Sequence, residues 1–331
     1  MKPRVSVVVP VYNESETLHH LLSRLVPALD PLTRGSFEII FVNDGSTDGS
    51  ADILDGLHAG ETRVKVVHFS RNFGHQAALQ AGLDEASGEA VVLMDADLQD
   101  PPELLQAFLD HWTAGYDVVY AVRTGRKESL LMRAAYRLFY RSLRAVATVD
   151  IPLDAGDFCL LDRRVVDILV SLPERHRLLR GLRSWVGFRH IGIECERNPR
   201  YAGTSKYSMY RLIELALAGY VGFSTIPLRL ATLVGLSTSL VGFVIAAWAI
   251  GTKLLGIPSP RGWASLLASV MVIGGIQLLV LGVIGEYLSR VYDETRRRPL
   301  YIVSSRVGLD TQDDARHLAD GARHRFPRSG M

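Results

Sequence analysis

Two carboxylates one residue apart are the first feature of this sequence that could do chemistry. They stand in Val91-Val92-Leu93-Met94-Asp95-Ala96-Asp97-Leu98-Gln99-Asp100-Pro101-Pro102. The run up to Met94 is apolar, as in a strand buried on both faces. In extended chain alternate side chains point the same way, so Asp95 and Asp97 can face one point just past the strand's carboxyl end. Open α/β sheets bind their ligands there. Paired carboxylates repel unless a cation lies between them, and hard oxygens suit Mg²⁺ or Mn²⁺. Mg²⁺ typically takes one or two carboxylates together with substrate phosphates. Taken alone, the pattern is equally that of a solvated acidic turn with Asp100 capping the next helix. Pro101-Pro102 ends the strand and opens that helix.

The elements that must position this turn come earlier in the chain. Arg4 to Val11 reads as a buried, valine-rich strand, and Ser15 is a cap for a helix over residues 16–29. Phe37 to Asn43 is a second strand, ending in the polar turn Asp44-Gly45-Ser46-Thr47-Asp48-Gly49-Ser50. Val64 to Phe69 is a third, followed by Ser70-Arg71-Asn72-Phe73-Gly74-His75 and a helix to about Ala86. Ala90 to Met94 is the fourth. Strands alternating with helices predict right-handed crossovers and a mostly parallel α/β sheet. Polar loops at the carboxyl ends of these strands then converge on one edge. Further on, a helix near Glu103 to Trp112, a strand over Asp117 to Val122 and a strand over Gly187 to Arg197 are expected. Arg133, Arg137, Arg141 and Arg144 stripe one face of a helix over Glu128 to Val146. A solvated face is the preferred reading of that stripe over contact with anionic lipid.

The chain has 331 residues, enough for one large domain plus an appendage, and a net charge of +2 that carries no nucleic-acid signature. The two cysteines, Cys159 and Cys195, make no disulfide framework and fit a reducing compartment. The apolar run after Met1 is too short for a signal peptide. Mean hydropathy is +0.14, and the apolar excess lies after residue 225. Leu230 to Thr252 and Trp263 to Gly285 contain no charged residue. Each exceeds the roughly 20 residues that cross a bilayer core, which predicts a two-helix transmembrane hairpin over residues 226–290. Lys206, Arg211 and Arg229 before the first run and Arg290, Arg296, Arg297 and Arg298 after the second place both termini in the cytoplasm. Glu286 is at helical spacing to pair with Arg290. Residues 206–225 form an amphipathic juxtamembrane helix in this reading. The cytoplasmic catalytic domain is then 1–205. The C-terminal tail is 291–331, disordered from Leu309 onward.

With the motifs laid out, the chain resembles a known family. Val-Val-Pro-Val-Tyr-Asn-Glu at 8–14, Val-Asn-Asp-Gly-Ser-Thr-Asp at 42–48, Ser-Arg-Asn-Phe-Gly-His at 70–75 and Met-Asp-Ala-Asp-Leu-Gln-Asp-Pro-Pro at 94–102 resemble family 2 glycosyltransferases of the GT-A fold. Gly156-Asp157-Phe158, Arg200-Tyr201-Ala202-Gly203-Thr204-Ser205-Lys206-Tyr207 and the two apolar runs narrow this. They resemble polyprenyl-phosphate glycosyltransferases of the dolichyl-phosphate mannose synthase branch, closest to the bacterial O-antigen glucosylation subgroup. The resemblance extends over about residues 4–300. It implies inverting transfer of one hexose, UDP-glucose being the expected donor, to undecaprenyl phosphate at the cytoplasmic face of the bacterial inner membrane. Self-association and a small multi-span flippase-like partner are implied as well.

The same resemblance implies roles. Pro10, Tyr12 and Glu14 hold the nucleotide, and Asp44 accepts a hydrogen bond from the base imide or ribose. On the residues alone, Asp44 is as readily a turn residue capping the next helix. Arg71 reaches the nucleotide or its diphosphate, and Asp95 and Asp97 hold the Mg²⁺ or Mn²⁺ that bridges that diphosphate. Asp157 is catalytic, as a base, as an orienting group for a sugar hydroxyl, or as a tether for cationic side chains. Arg200 and Lys206, in a loop leading toward the membrane, are assigned to the lipid phosphate; solvated loop charge is the alternative. Processive relatives carry Gln-x-x-Arg-Trp, which Arg180-Gly181-Leu182-Arg183-Ser184-Trp185 echoes only faintly. Transfer of a single sugar is therefore expected. Rival readings are the same enzyme with GDP-mannose, UDP-GlcNAc or a modified aminoarabinose donor, a sugar-nucleotide-binding scaffold without turnover, and a channel or transporter.

Overall fold

The structure is a computed structural model that describes residues 2–124, 155–175, 177–196, 226–255 and 262–309. The valine-rich runs form the strands their composition predicts. β1 (Val5–Val11) and β2 (Phe37–Asn43) are buried throughout, β3 is Val64–Phe69, and β4 is Ala90–Leu93. Between them lie α1 (Leu18–Thr33), α2 (Ser50–Gly60) and α3 (His75–Glu85). A short 3-10 turn at Pro102–Leu104 leads into α4 (Leu105–Thr113), as the Pro101-Pro102 pair predicts. There follow β5 (Val118–Thr124), β6 (Ala155–Asp162), α5 (Arg163–Ser171), α6 (Leu179–Trp185) and β7 (His190–Glu196). Two long apolar helices, α7 (Ile226–Leu254) and α8 (Trp263–Arg296), precede a last strand, β8 (Val303–Val307).

The eight strands form one sheet in the order β7-β5-β6-β4-β1-β2-β3-β8. The β4-β1-β2-β3 centre is parallel, as is β5 with β7, whereas β6 runs antiparallel to both its neighbours and β8 runs antiparallel to β3. Alternation splits the strands between two apolar layers. Val5, Val7 and Val9 pack with Leu21, Leu25, Leu54 and Phe108 of α1, α2 and α4. Val8, Ile40, Val91 and Leu161 pack with Leu79, Val165 and Leu182 of α3, α5 and α6.

Three features depart from the sequence reading. Residues 155–162 form a strand, and residues 303–307 form an eighth strand inside what reads as a tail. The first helix starts two residues later than expected, with Thr17 rather than Ser15 at its N-cap, and it continues through Pro27 and Pro31 to Thr33. The stripe over 128–146 and the juxtamembrane helix over 206–225 lie outside the described residues.

Both long helices lie where the uncharged runs place them. Among the described residues, one stretch, Val272–Arg296, is long and apolar enough to cross a membrane, and the apolar stretch of α7 is the shorter Leu230–Ile245. Their leucines, valines and Trp248 are largely exposed. Arg290 Nε stands 3.8 Å from Glu286 Oε1, the predicted pair.

Candidate active site

The antiparallel register of β4 and β6 sets Leu93 opposite Cys159. Two residues further in each direction, the same register brings Asp95 to Asp157. Asp157 alternates with Cys159 and Leu161, so it faces the layer covered by α3 and α6. His75, the first residue of α3, and Arg180, the second residue of α6, meet it there. Asp157 Oδ2 accepts from His75 Nε2 at 3.3 Å and from Arg180 Nη2 at 3.3 Å. His75 Nε2 also lies 3.8 Å from Asp95 Oδ1, so one imidazole joins the two carboxylates. Gln76 fixes this meeting, because its side-chain oxygen accepts the Leu179 N–H at 2.9 Å and ties the start of α6 to α3.

Charge and burial oppose each other at Asp157. Burial pushes its carboxyl pKa up, but the His75 hydrogen bond and the charges of Arg180, His75 and Arg183 hold it far below the usual carboxylate range. Burial likewise works against the His75 imidazolium, yet the hydrogen bond to Asp157 and the field of Asp95 raise its pKa. Arg183 is 3% exposed and stacks 5.1 Å from the Tyr120 ring centroid, a buried cation behind Asp157. Asp157 Oδ1 is buried and has no hydrogen-bond partner among the described residues. An acceptor in that state is ready for a ligand donor.

Asp95 and Asp97 are half-buried between buried neighbours, as alternation requires. The turn is held by a left-handed Leu98 (φ 59°) and by the Gln99 N–H, which donates to Asp97 Oδ1 at 3.2 Å. Among the described residues no cluster of three or more metal-ligating side chains forms. Two carboxylates fit a hard cation that draws its other oxygens from substrate phosphates.

Beside this cluster, a cleft of about 670 Å³ opens at the carboxyl ends of β1, β2 and β3. Tyr12 and Arg71 are among its walls. Asp44 is buried next to it, its two oxygens accepting the Phe73 and Gly74 N–H groups at 2.6 and 2.9 Å. It pins the loop after β3 to the end of β2. Gly45 allows the loops to touch: with φ +66, it sits where a Cβ would lie 2.4 Å from the Arg71 carbonyl carbon. At the base, His68 Nδ1 meets Asn43 Nδ2 at 2.9 Å, and His68 Nε2 meets Asp55 Oδ1 at 3.0 Å. Asn43 Oδ1 accepts the Ser46 N–H, so its NH₂ faces the ring and the Nε2 proton goes to Asp55. Pro10 is buried within β1 and Glu14 is half-buried beyond it, and neither is among the cleft walls.

Residues 6–169 match the profile "Glycosyl transferase family 2". An uncharacterized glycosyltransferase, YkcC, of Bacillus subtilis (strain 168) is 45% identical over 93% of this chain and 95% of its own length. The chain belongs to glycosyl transferase family 2. The bactoprenol glucosyl transferase of Shigella phage SfX is 40% identical to this family 2 enzyme over 92% of this chain and 99% of its own. Among solved structures, the mannosyltransferase of Pyrobaculum calidifontis in complex with GDP-Man and Mn²⁺ is 20% identical, with a TM-score of 0.47 over 87% of this chain and 88% of that one.

This glycosyltransferase thus brings Asp95 and Asp157 together and sets Tyr12, Arg71 and Asp44 around a neighbouring cleft. Arg200 and Lys206 lie outside the described residues. Sequence reasoning gave no role to His75, Arg180, Arg183 or His68. His75 and Arg180 stood within quoted motifs, but their partner Asp157 lies 82 and 23 residues away in the chain.

Proposed function

We propose that this enzyme transfers one glucose from UDP-glucose to a polyprenyl phosphate at a membrane surface, with inversion at C1. The observation that carries the reading is the meeting of Asp95, His75, Asp157 and Arg180 beside a nucleotide-sized cleft. Relatives named bactoprenol glucosyl transferases, similar over nine-tenths of this chain, support the sugar and the acceptor. The GT-A designation and the domain limits 1–205, 206–225, 226–290 and 291–331 belong to the same reading.

The nucleoside enters the cleft against Tyr12 and Arg71, with Pro10, Glu14 and Asp44 shaping the loops that hold it. Asp95 and Asp97 would hold Mg²⁺ or Mn²⁺, and a cation bound there would supply neutralisation of the charge that develops on the diphosphate leaving group. An oxygen of the acceptor phosphate forms the bond to C1 as the bond from C1 to the diphosphate oxygen breaks, and UDP departs with that electron pair. A phosphate monoester has a second pKa of about 6 and arrives largely as a dianion. No proton has to be removed from it, unlike a sugar hydroxyl. A carboxylate with a strongly depressed pKa is in any case a weak base. Asp157 therefore orients: Oδ2 holds Arg180 and His75, and Oδ1 accepts a sugar hydroxyl. Arg200 and Lys206 capture the lipid phosphate, where a guanidinium can hold two oxygens at once.

Topology supports a membrane hairpin. β8 lies in the same sheet as β1 to β7, so any crossings between β7 and β8 must be even in number. If α8 crosses, a second crossing is needed, and α7 is the helix proposed for it, its full length at about 1.5 Å per residue exceeding a ~30 Å core. The catalytic domain and both termini are then cytoplasmic. Self-association and a small multi-span protein that moves the product across the membrane complete the reading.

The test is full-length protein incubated with Mg²⁺, undecaprenyl phosphate and a panel of UDP-glucose, UDP-GlcNAc, GDP-mannose and an aminoarabinose nucleotide, with products read by mass spectrometry. Undecaprenyl-phosphate glucose from UDP-glucose, absent in excess chelator, is the expected outcome. Another sugar on the lipid corrects the donor, and no lipid-linked sugar from any donor refutes the reading.

A further inference from the structure

The cleft at the ends of β1 to β3 has a wall that comes from the far end of the chain. Ser304 and Ser305 of β8 line it together with Tyr12 and Arg71. They lie beyond residues 6–169, the segment that matches the family. Adjacent residues in a regular strand point to opposite faces. Here the pairing of β8 with β3 slips: His68 faces Ser305 but Phe69 faces Val303, which leaves Ser304 as an extra residue. A bulge of this kind re-aims side chains. Both serines are exposed as a result, between half-buried Val303 and Arg306.

The strand is firmly held. The Ser70 N–H donates to Ile302 O at 3.0 Å, at the start of the loop that carries Arg71. Tyr301 stacks on Phe69 with centroids 5.0 Å apart, and its hydroxyl donates to Asp84 at 2.6 Å. Arg306 Nε donates to Glu85 at 2.8 Å, a pair only 17% and 11% exposed. At the far end, Gly308 turns with φ +73 where a Cβ would lie 2.5 Å from the His58 ring. Ser304 Oγ donates to His68 O at 3.0 Å. The Ser305 hydroxyl makes no hydrogen bond among the described residues, although it faces the cleft.

We propose that β8 is a working wall of the donor site and that Ser305, with Ser304 beside it, contacts the nucleoside half of the donor. This rests on the donor reading above. A hydroxyl both donates and accepts, so it suits the ribose hydroxyls or the edge of a base. It adds a donor-binding element that the family-matching segment lacks, and it joins the donor site to α8, which ends at Arg296, seven positions before β8 begins at Val303.

The experiment is calorimetric titration of the full-length protein in lipid nanodiscs with UDP, GDP, CDP and ADP in Mg²⁺. The tightest nucleotide is carried forward to Ser305→Trp and to the double variant Ser304→Ala/Ser305→Ala. Ser305→Trp fills the cleft and should weaken binding at least tenfold with the melting temperature retained. The double variant removes only hydroxyls and should weaken binding roughly two- to tenfold. If Ser305→Trp lowers the melting temperature, the double variant decides. Wild-type affinity in a folded Ser305→Trp protein, or in the double variant, overturns the inference and leaves the donor reading standing. A wild-type protein that binds none of the four nucleotides removes the donor reading, and this inference with it.

Discussion

Protonating Asp157 means placing a proton against the fields of Arg180, His75 and Arg183. The group stays ionised through the working pH range, so the acid limb of the rate should belong to the acceptor phosphate, near pH 6. Asp157→Asn should lower kcat by about 10²-fold, the scale seen when one aimed polar group is lost, and should leave that limb in place. A limb that disappears in the variant would show that Asp157 itself takes the proton. His75 gives a second prediction. Its folded pKa is raised, so its contribution to stability is full below its unfolded value of about 6.5 and is lost as pH rises through the folded value. In chelator, the melting temperature of the wild type should exceed that of His75→Gln most at pH 6 and least at high pH. A gap that widens with pH would sink this assignment.

Elements, not single residues, decided what could be read in advance. β1 to β4 announce themselves as apolar, β-branched-rich runs ending in polar loops, and the edge where ligands bind followed from them. β6 was hidden because its opening, Ala155-Gly156-Asp157, carries the Gly and Asp of a turn and masks the strand that follows. Without β6 beside β4, only the family resemblance set Asp95 and Asp157 in one site, and nothing in the residue pattern set them side by side. β8 was hidden for a related reason: Val303-Ser304-Ser305-Arg306-Val307 is a polar edge strand whose only evidence of being one is its pairing with β3. The packing of α3 on β1 was also illegible, and it makes a prediction. A Cβ at Gly82 would lie 2.1 Å from Val8 Cγ1, in the middle of the layer that positions His75. Alanine usually favours a helix over glycine, by about 1 kcal/mol. Here overpacking should outweigh that, and Gly82→Ala should destabilise the fold by about 1–3 kcal/mol in denaturant melts. Val8→Ala in the same chain should recover part of the loss, because the two sites share one space. Additive effects would mean the contact does not matter.

At the scale of the whole molecule, two apolar helices are bracketed by strands of one sheet. Accessibility of engineered cysteines tests the hairpin with little background, since Cys159 and Cys195 are both buried. In intact cells, a membrane-impermeant maleimide should label Ser259→Cys, between the helices, and should reach Glu16→Cys only after lysis. Protection of both sites in intact cells would remove the hairpin. The position of β8 also sets an order of events during synthesis. Ribosomes make β3 long before β8, and both long helices are made between them. Until the last strand arrives, β3 presents a bare edge of the kind that recruits other chains. The catalytic sheet is therefore completed only after the anchor has been made. On the proposed hairpin, the cleft gains its Ser304 and Ser305 wall only after both long helices have been made.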